Sequence, residues 1–334
     1  MASGVTCRAP SGALLLFALC AGAPAAHAQT STSAAQAYPV RPIRVIVPFA
    51  PGGATDSVMR MVSPRLSEGI GQSVVVENRA GGATTIGMDA VAKSAPDGYT
   101  LGVANLSFAV NPVLLAKMPY NTEKDFAPVG LIASVPFVMA VHPSVPASSI
   151  KELVALAKVR PGALNYSSSG NGSATQMATE LFRYISGIDI VHVPFTGGGP
   201  ALVSALSGEV SIYCASIPAM APHFKTGRLR PLAITTVQRD PAMPNLPTMV
   251  QAGVPGYEAR EWTGIVAAAA TPRAVIMRLN QEFVKALGSP ELSKRLAAVG
   301  AHPVTSTPEE FAAHVQKELA VWSKVIKAAN IRIE

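Results

Sequence analysis

Four segments of the chain run from an apolar strand, through a turn of small residues, into a helix-length stretch. They are 45–48 into PGGATD (51–56), 74–77 into AGGATT (80–85), 164–166 into SSSGNGSAT (167–175) and 190–194 into FTGGGP (195–200). Glycine lets backbone approach a ligand with no side chain in the way. The first turn of a helix leaves unpaired N–H groups and a partial positive charge aimed at the same place. Several such ends around one cleft can hold a small anion without an arginine. A backbone amide donating to a carboxylate contributes roughly 1.5–3 kcal/mol net, so four or five give roughly 6–12 kcal/mol before ordering costs. Micromolar affinity needs about 8 kcal/mol.

The first turn places Gly52 and Gly53 side by side, more than a turn alone requires, and Thr55 or Asp56 can cap the helix that follows. The third turn carries Ser167, Ser168, Ser169, Asn171, Ser173 and Thr175 around two glycines, a density of polar groups that suits ligand contact. In the fourth, the amides of 196–198 form an anion nest and Pro200 suits the first turn of a helix. AGGATT, which follows Asn78 and Arg79, reads as a helix start, and nothing is assigned to it.

Enzyme signatures are missing from the sequence: G-x-S-x-G, a Walker loop, H-E-x-x-H, C-x-x-C and G-x-G-x-x-G do not occur. A hydrolase using a serine of 167–173 remains an alternative, because a triad can assemble from distant residues. The turns themselves offer no general base near neutral pH. His142, His192, His223, His302 and His314 lack ligand spacing and read as structural or surface residues. No metal site and no cofactor is expected. Cys214, in an apolar strand pattern, reads as a buried inert thiol.

Composition is globular, 49% hydrophobic and 14% charged. The net charge of +7 is dilute, with 6% aromatics and no basic stripe, which argues against nucleic acid as a partner. One basic residue, Arg8, precedes a short apolar run at 13–20, and Ala26-His27-Ala28 fits a small-x-small cleavage site. Residues 1–28 are therefore expected to be a secretory signal peptide and 29–37 a flexible leader, leaving 306 residues from Gln29 onward. That is enough for two lobes.

The elements that must position the turns alternate β and α, which argues for parallel sheets covered by helices. Helices are expected at 55–66, 85–93, 150–158, 174–186, 200–206, 273–287, 290–299 and 308–329. Phe311, Val315, Leu319, Trp322 and Ile326 share one face of the last, a core stripe. Two apolar stretches, 126–143 and 260–270, break the rhythm and read as strands crossing between lobes. On such sheets, ligands sit outside the carboxyl ends of the strands.

These residues resemble the Bug family, the periplasmic solute-binding receptors of tripartite tricarboxylate transport systems. The marks are YPVRPIRVIVPFAPGGATD (38–56), VVVENRAGG (74–82), APDGYTL (95–101), NPVL (111–114), DFAPVGLIASVP (125–136), LNYSSSGNGSATQMATELF (164–182), VHVPFTGGGPAL (191–202) and STPEEFAAH (306–314). The resemblance implies a two-lobed, type II-like periplasmic binding-protein fold of α/β class, each lobe a mostly parallel sheet flanked by helices. Residues 38–132 plus 265–334 would form one lobe and 133–264 the other, with crossing strands near 133–142 and 258–268. It further implies a small organic carboxylate held by backbone amides and polar side chains, a membrane permease as partner, a monomeric state and a periplasmic location. The implied ligand-binding positions are Phe49, Ala50, Gly52, Gly53, Ala54, Thr55, Ser107, Ser168, Ser169, Asn171, Ser173, Thr175, Thr196, Gly197, Gly198 and Ala215. A ligand-sensing role in signalling would use the same trap.

The chain departs from the family's pattern in two places that bear on the ligand. Thr196-Gly197-Gly198-Gly199 stands where a lysine is common, and Cys214-Ala215-Ser216 stands where an acid or amide is common. The missing acid disfavours an amino-acid ligand. Phe49, Phe108, Phe195 and Tyr213 could supply apolar wall for an aromatic or longer aliphatic acid.

Overall fold

In chain order, the computed structural model forms β1 (Ile43–Val47), α1 (Ala54–Ile70), β2 (Val74–Asn78), a 3-10 turn (Gly82–Thr84), α2 (Thr85–Ala92), β3 (Thr100–Asn105) and α3 (Leu106–Leu114). The long strand β4 (Phe126–Val141) follows, then α4 (Ile150–Val159), β5 (Asn165–Ser168), α5 (Ala174–Ser186), β6 (Val191–Pro194), α6 (Gly198–Ser207), β7 (Ile212–Ser216), α7 (Ile217–Lys225) and β8 (Arg230–Ile234). Last come β9 (Arg260–Ala268), α8 (Arg273–Leu287), α9 (Pro290–Ala298), β10 (His302–Pro303) and α10 (Pro308–Ala329). The structure describes residues 38–49, 51–52, 54–329 and 331; the expected signal peptide and leader, 1–28 and 29–37, lie outside them.

Most helices begin and end within about two residues of where their periodicity places them. α1 runs past its expected end at 66 to Ile70, through Pro64. A buried stripe of Val58, Met59, Val62 and Leu66 holds it on the sheet despite the missing hydrogen bond. Neither α3 nor α7 was expected. Each contains a proline, Pro112 and Pro222, and α3 is buried on nearly every side, which conceals its period.

The strands join in the order β2-β1-β3-β9-β4-β7-β5-β6, with β8 and β10 each pairing β4 off that path. The two ends of the order are parallel: β1 with β2 and β3, and β5 with β6 and β7. The middle is antiparallel, β9 lying between β3 and β4. β4 changes neighbours partway along. Its residues 126–136 pair with β9, and its residues 137–141 pair with β7 and β8. Sixteen residues extend about 50 Å at ~3.3 Å each, enough for one strand to serve both halves of the sheet.

The C-terminal helix contributes the stripe its sequence announces. Phe311, Val315, Trp322 and Ile326 are buried, and Leu319 packs against the same core. Cys214 is fully buried on β7, and burial pushes its thiol well above the ordinary range, as an inert core residue requires. Phe108 belongs to the core, edge-on to Phe126 with ring centroids 5.0 Å apart, and Tyr213 is buried in the other half of the sheet with its hydroxyl on Gly198 O. Neither is free to line a pocket.

Candidate functional site

The turn after β1 is built around Asp56, which is buried in the first turn of α1. Its carboxylate accepts from Gly52 N at 2.9 Å, from Arg60 Nε at 3.0 Å and from Asn78 Nδ2 at 2.8 Å. Asn78 Nδ2 also reaches Phe49 O at 3.0 Å, so one network ties the end of β1 to α1 and β2. Burial alone would raise the Asp56 pKa, but the hydrogen bonds from Arg60, Gly52 and Asn78 outweigh it and hold the group below its ordinary value. Gly52 sits at φ 85, a conformation glycine adopts without strain.

The turn after β2 is left-handed over four consecutive residues: Gly81 (φ 121), Gly82 (φ 55), Ala83 (φ 51) and Thr84 (φ 80). Two of these are not glycine, and such positions cost about 1–3 kcal/mol each unless their surroundings enforce them. Asn111 on α3 does so, donating from Nδ2 to Ala83 O at 2.5 Å and to Thr84 Oγ1 at 3.2 Å. At the head of α3, Asn105 Oδ1 caps Ser107 N at 3.0 Å.

In the turn after β5, hydroxyls and amides largely satisfy one another. Thr175 Oγ1 accepts from Ser169 N, Gln176 Oε1 from Gly172 N, Ser168 Oγ from Gly170 N and Ser173 Oγ from Gln176 N. The polar density noted in the sequence thus shapes the loop first. Gln176 also decides the hydrolase alternative. Its Oε1 faces Gly172 N at 2.7 Å, so its Nε2 faces His192 Nδ1 at 3.2 Å. His192 therefore carries its proton on Nε2 and donates to Ser168 Oγ at 2.6 Å. A nucleophilic serine needs the opposite arrangement, with the imidazole accepting. Ser167 Oγ donates to Ala201 O and Ser169 Oγ meets Thr175 Oγ1. Among the described residues, no serine of this loop has a base placed to take its proton.

The parts meet in a cleft of about 280 Å3, at the small end for ligand sites. One side is Pro48 and Phe49 from the first turn, Ala80, Gly81, Ala83 and Thr84 from the second, and Ser107 and Asn111 from α3. Asn171, Gly172 and Ser173 face them from the other half. None of the eleven lining residues is charged.

Of the positions marked in the sequence, Phe49, Ser107, Asn171 and Ser173 come together here. Gly52 and Ala54 are exposed and Thr55 is buried, and none of the three is in this lining. Ser168, Thr175 and Ala215 are also buried, and Ser169 is bonded within its loop. Thr196, Gly197 and Gly198 open α6, which has no side-chain cap, but stand outside this lining. Gly197 lies at φ 117, so any substitution there distorts the turn as well as altering its donors. Ala50 and Gly53 fall outside the described residues. The second turn and Asn111 are additions. Four successive left-handed residues leave no pattern beyond two glycines, and Asn111 lies on a helix the periodicity did not reveal.

Burial pushes the pKa of His192 down to about 4, and burial together with Arg260 does the same to His314. Their folded values lie below the ordinary ~6.5. Each therefore contributes stability that is whole above that value and is lost as pH falls through about 4. Glu261, raised to about 7 by burial, acts with opposite sign in the same interval. The comparison between wild type and His192→Asn is thus the informative one. The stability difference between them should narrow from pH 7 to pH 4 in chemical denaturation; a constant difference would contradict the assignment.

Two sets of parallel strands, joined through antiparallel crossing strands, with a cleft between their loops, define a periplasmic solute-binding protein. The family described as "Tripartite tricarboxylate transporter family receptor" matches residues 58–331, and the chain belongs to it. Protein BugT of Bordetella pertussis is 37% identical over 302 residues, covering 90% of this chain and 93% of that protein. Among solved structures, R. palustris Rpa4515 with adipate is 38% identical with a TM-score of 0.75, covering 89% of this chain and all of that one. MatC from Rhodopseudomonas palustris with bound malate is 32% identical with a TM-score of 0.72, covering 86% and 100%. The family is one of receptors, not of enzymes. Among the described residues no helix is long and apolar enough to cross a membrane.

Proposed function

We propose that the chain captures a small organic carboxylate between two lobes, 38–132 with 265–334 and 133–264, and delivers it to the membrane subunits of a tripartite tricarboxylate-type transporter. It acts as a monomer in the periplasm, after cleavage of residues 1–28, and without enzymatic activity. The lobes swing about β4 and β9, and a ligand touching both sides shifts the population towards the closed form. The observation that carries this reading is a small cleft made by loops of both halves, lined with small and polar residues and free of charged side chains. Adipate and malate in related structures support the ligand class.

A thermal-shift panel of dicarboxylates, hydroxy acids, aromatic acids and amino acids tests it. At a hundred times its dissociation constant, a ligand stabilises the folded state by about 2.7 kcal/mol. For a chain of this size that is a rise of several degrees. The expected hits are among the carboxylates; a panel with no hit would reject the reading.

A further inference from the structure

The wall at 80–84 and its clamp, Asn111, bear on which carboxylate fits. Asn111 is buried on α3 and gives both hydrogens of its side-chain amide to this wall, at Ala83 O and Thr84 Oγ1. A backbone carbonyl can only accept, so the amide cannot be turned the other way. Asn111 has no hydrogen left to donate. Its Oδ1 accepts from no protein group among the described residues. Asn111 lines the cleft. Beside it, Ala80, Gly81 and Ala83 bring no side-chain donor.

A carboxylate placed against Asn111 would meet an acceptor and be repelled; a hydroxyl would find a partner. An ammonium would find one too, but no residue of the lining is acidic to neutralise it. We propose that Asn111 is a specificity-determining residue. Its side-chain carbonyl accepts from a hydroxyl on the ligand, so the cleft takes a hydroxylated carboxylate in preference to the same acid without the hydroxyl. The carboxylate remote from that hydroxyl then lies away from this wall, towards the 171–173 loop. The inference rests on the carboxylate reading of the cleft and adds the class within it.

Calorimetric titration with malate and succinate, 2-hydroxyglutarate and glutarate, and 2-hydroxyadipate and adipate tests it, each pair differing by one hydroxyl. In the pair whose length fits, the hydroxy acid should bind about tenfold tighter, the effect of one well-placed hydrogen bond. In Asn111→Leu the ratio should fall to about twofold or less. A purely structural role for Asn111 would weaken both acids alike and leave the ratio standing. Thr84→Val provides a second route, because it frees one Asn111 hydrogen. The acid lacking the hydroxyl should then gain affinity and the ratio should narrow.

Equal affinities within every pair in wild type, an unchanged ratio in both variants, or aspartate preferred over malate would overturn the inference alone. No binding by any acid would overturn the proposed function with it.

Discussion

Gly264→Ala is expected to destabilise the protein by about 3 kcal/mol, the upper part of the range for overpacking a filled core. Gly264 lies mid-strand on β9, paired with Ala104 of β3 on one side and Leu131 of β4 on the other. A Cβ there would overlap the ring of Phe311, with Cε2 at 2.7 Å and Cε1 at 2.8 Å. The backbone cannot retreat, because both neighbouring strands hold it. Nor can the ring: Phe311 is fully buried and packs edge-on to Trp262 at 5.7 Å. The measurement is urea denaturation of Gly264→Ala, Phe311→Leu and the double variant. Each single change should cost stability, and the double should cost less than their sum, because the smaller side chain makes room for the methyl. Strict additivity would mean that contact between the two positions is not the cause.

Much of this architecture is legible in the sequence because its signals are local. The stripe from Phe311 to Ile326 repeats at helical spacing, and the 126–143 run is too long and apolar for an ordinary strand. The two missed helices show the limit. Pro222 hides α7, and α3 is buried too completely to be amphipathic. The cleft was legible in part, since glycine turns at strand ends mark where backbone can face a ligand. What the turns do there was not. Ser168, Ser169 and Thr175 look like ligand groups in one dimension, yet their hydrogen bonds are taken up within the loop and by His192. Asn111 looks like an interior helix residue, yet it shapes its own side of the cleft through contacts 27 and 28 positions away in sequence. Pairings at that range leave no trace in a single sequence.

Asp56→Ala should lower both stability and ligand affinity. The carboxylate gathers Gly52 N, Arg60 and Asn78, so its removal leaves three donors to find water. The Arg60 side chain is half exposed, which screens that part of the loss. A stability cost of about 2–3 kcal/mol is expected, near that of one or two charge-assisted hydrogen bonds. Asn78 would keep Phe49 O and the Arg60 Nη2 bond to its Oδ1, but Gly52 N would lose its tie to α1, so the first turn would be held less firmly against the helix whose N-terminus it presents. A drop in affinity of about tenfold or more follows if that turn contributes donors to the ligand.

The pH dependence separates Asp56 from the histidines. Its folded pKa is depressed, so its contribution is present above the ordinary ~3.9 and is lost only as pH falls through the lower folded value. The gap between wild type and Asp56→Ala should therefore stay constant from pH 8 to about pH 5 and close only in stronger acid. A gap that began to narrow already between about pH 6.5 and pH 5 would instead mean that the variant acts through a histidine such as His192, whose contribution declines from its ordinary ~6.5 down to its folded value of about 4.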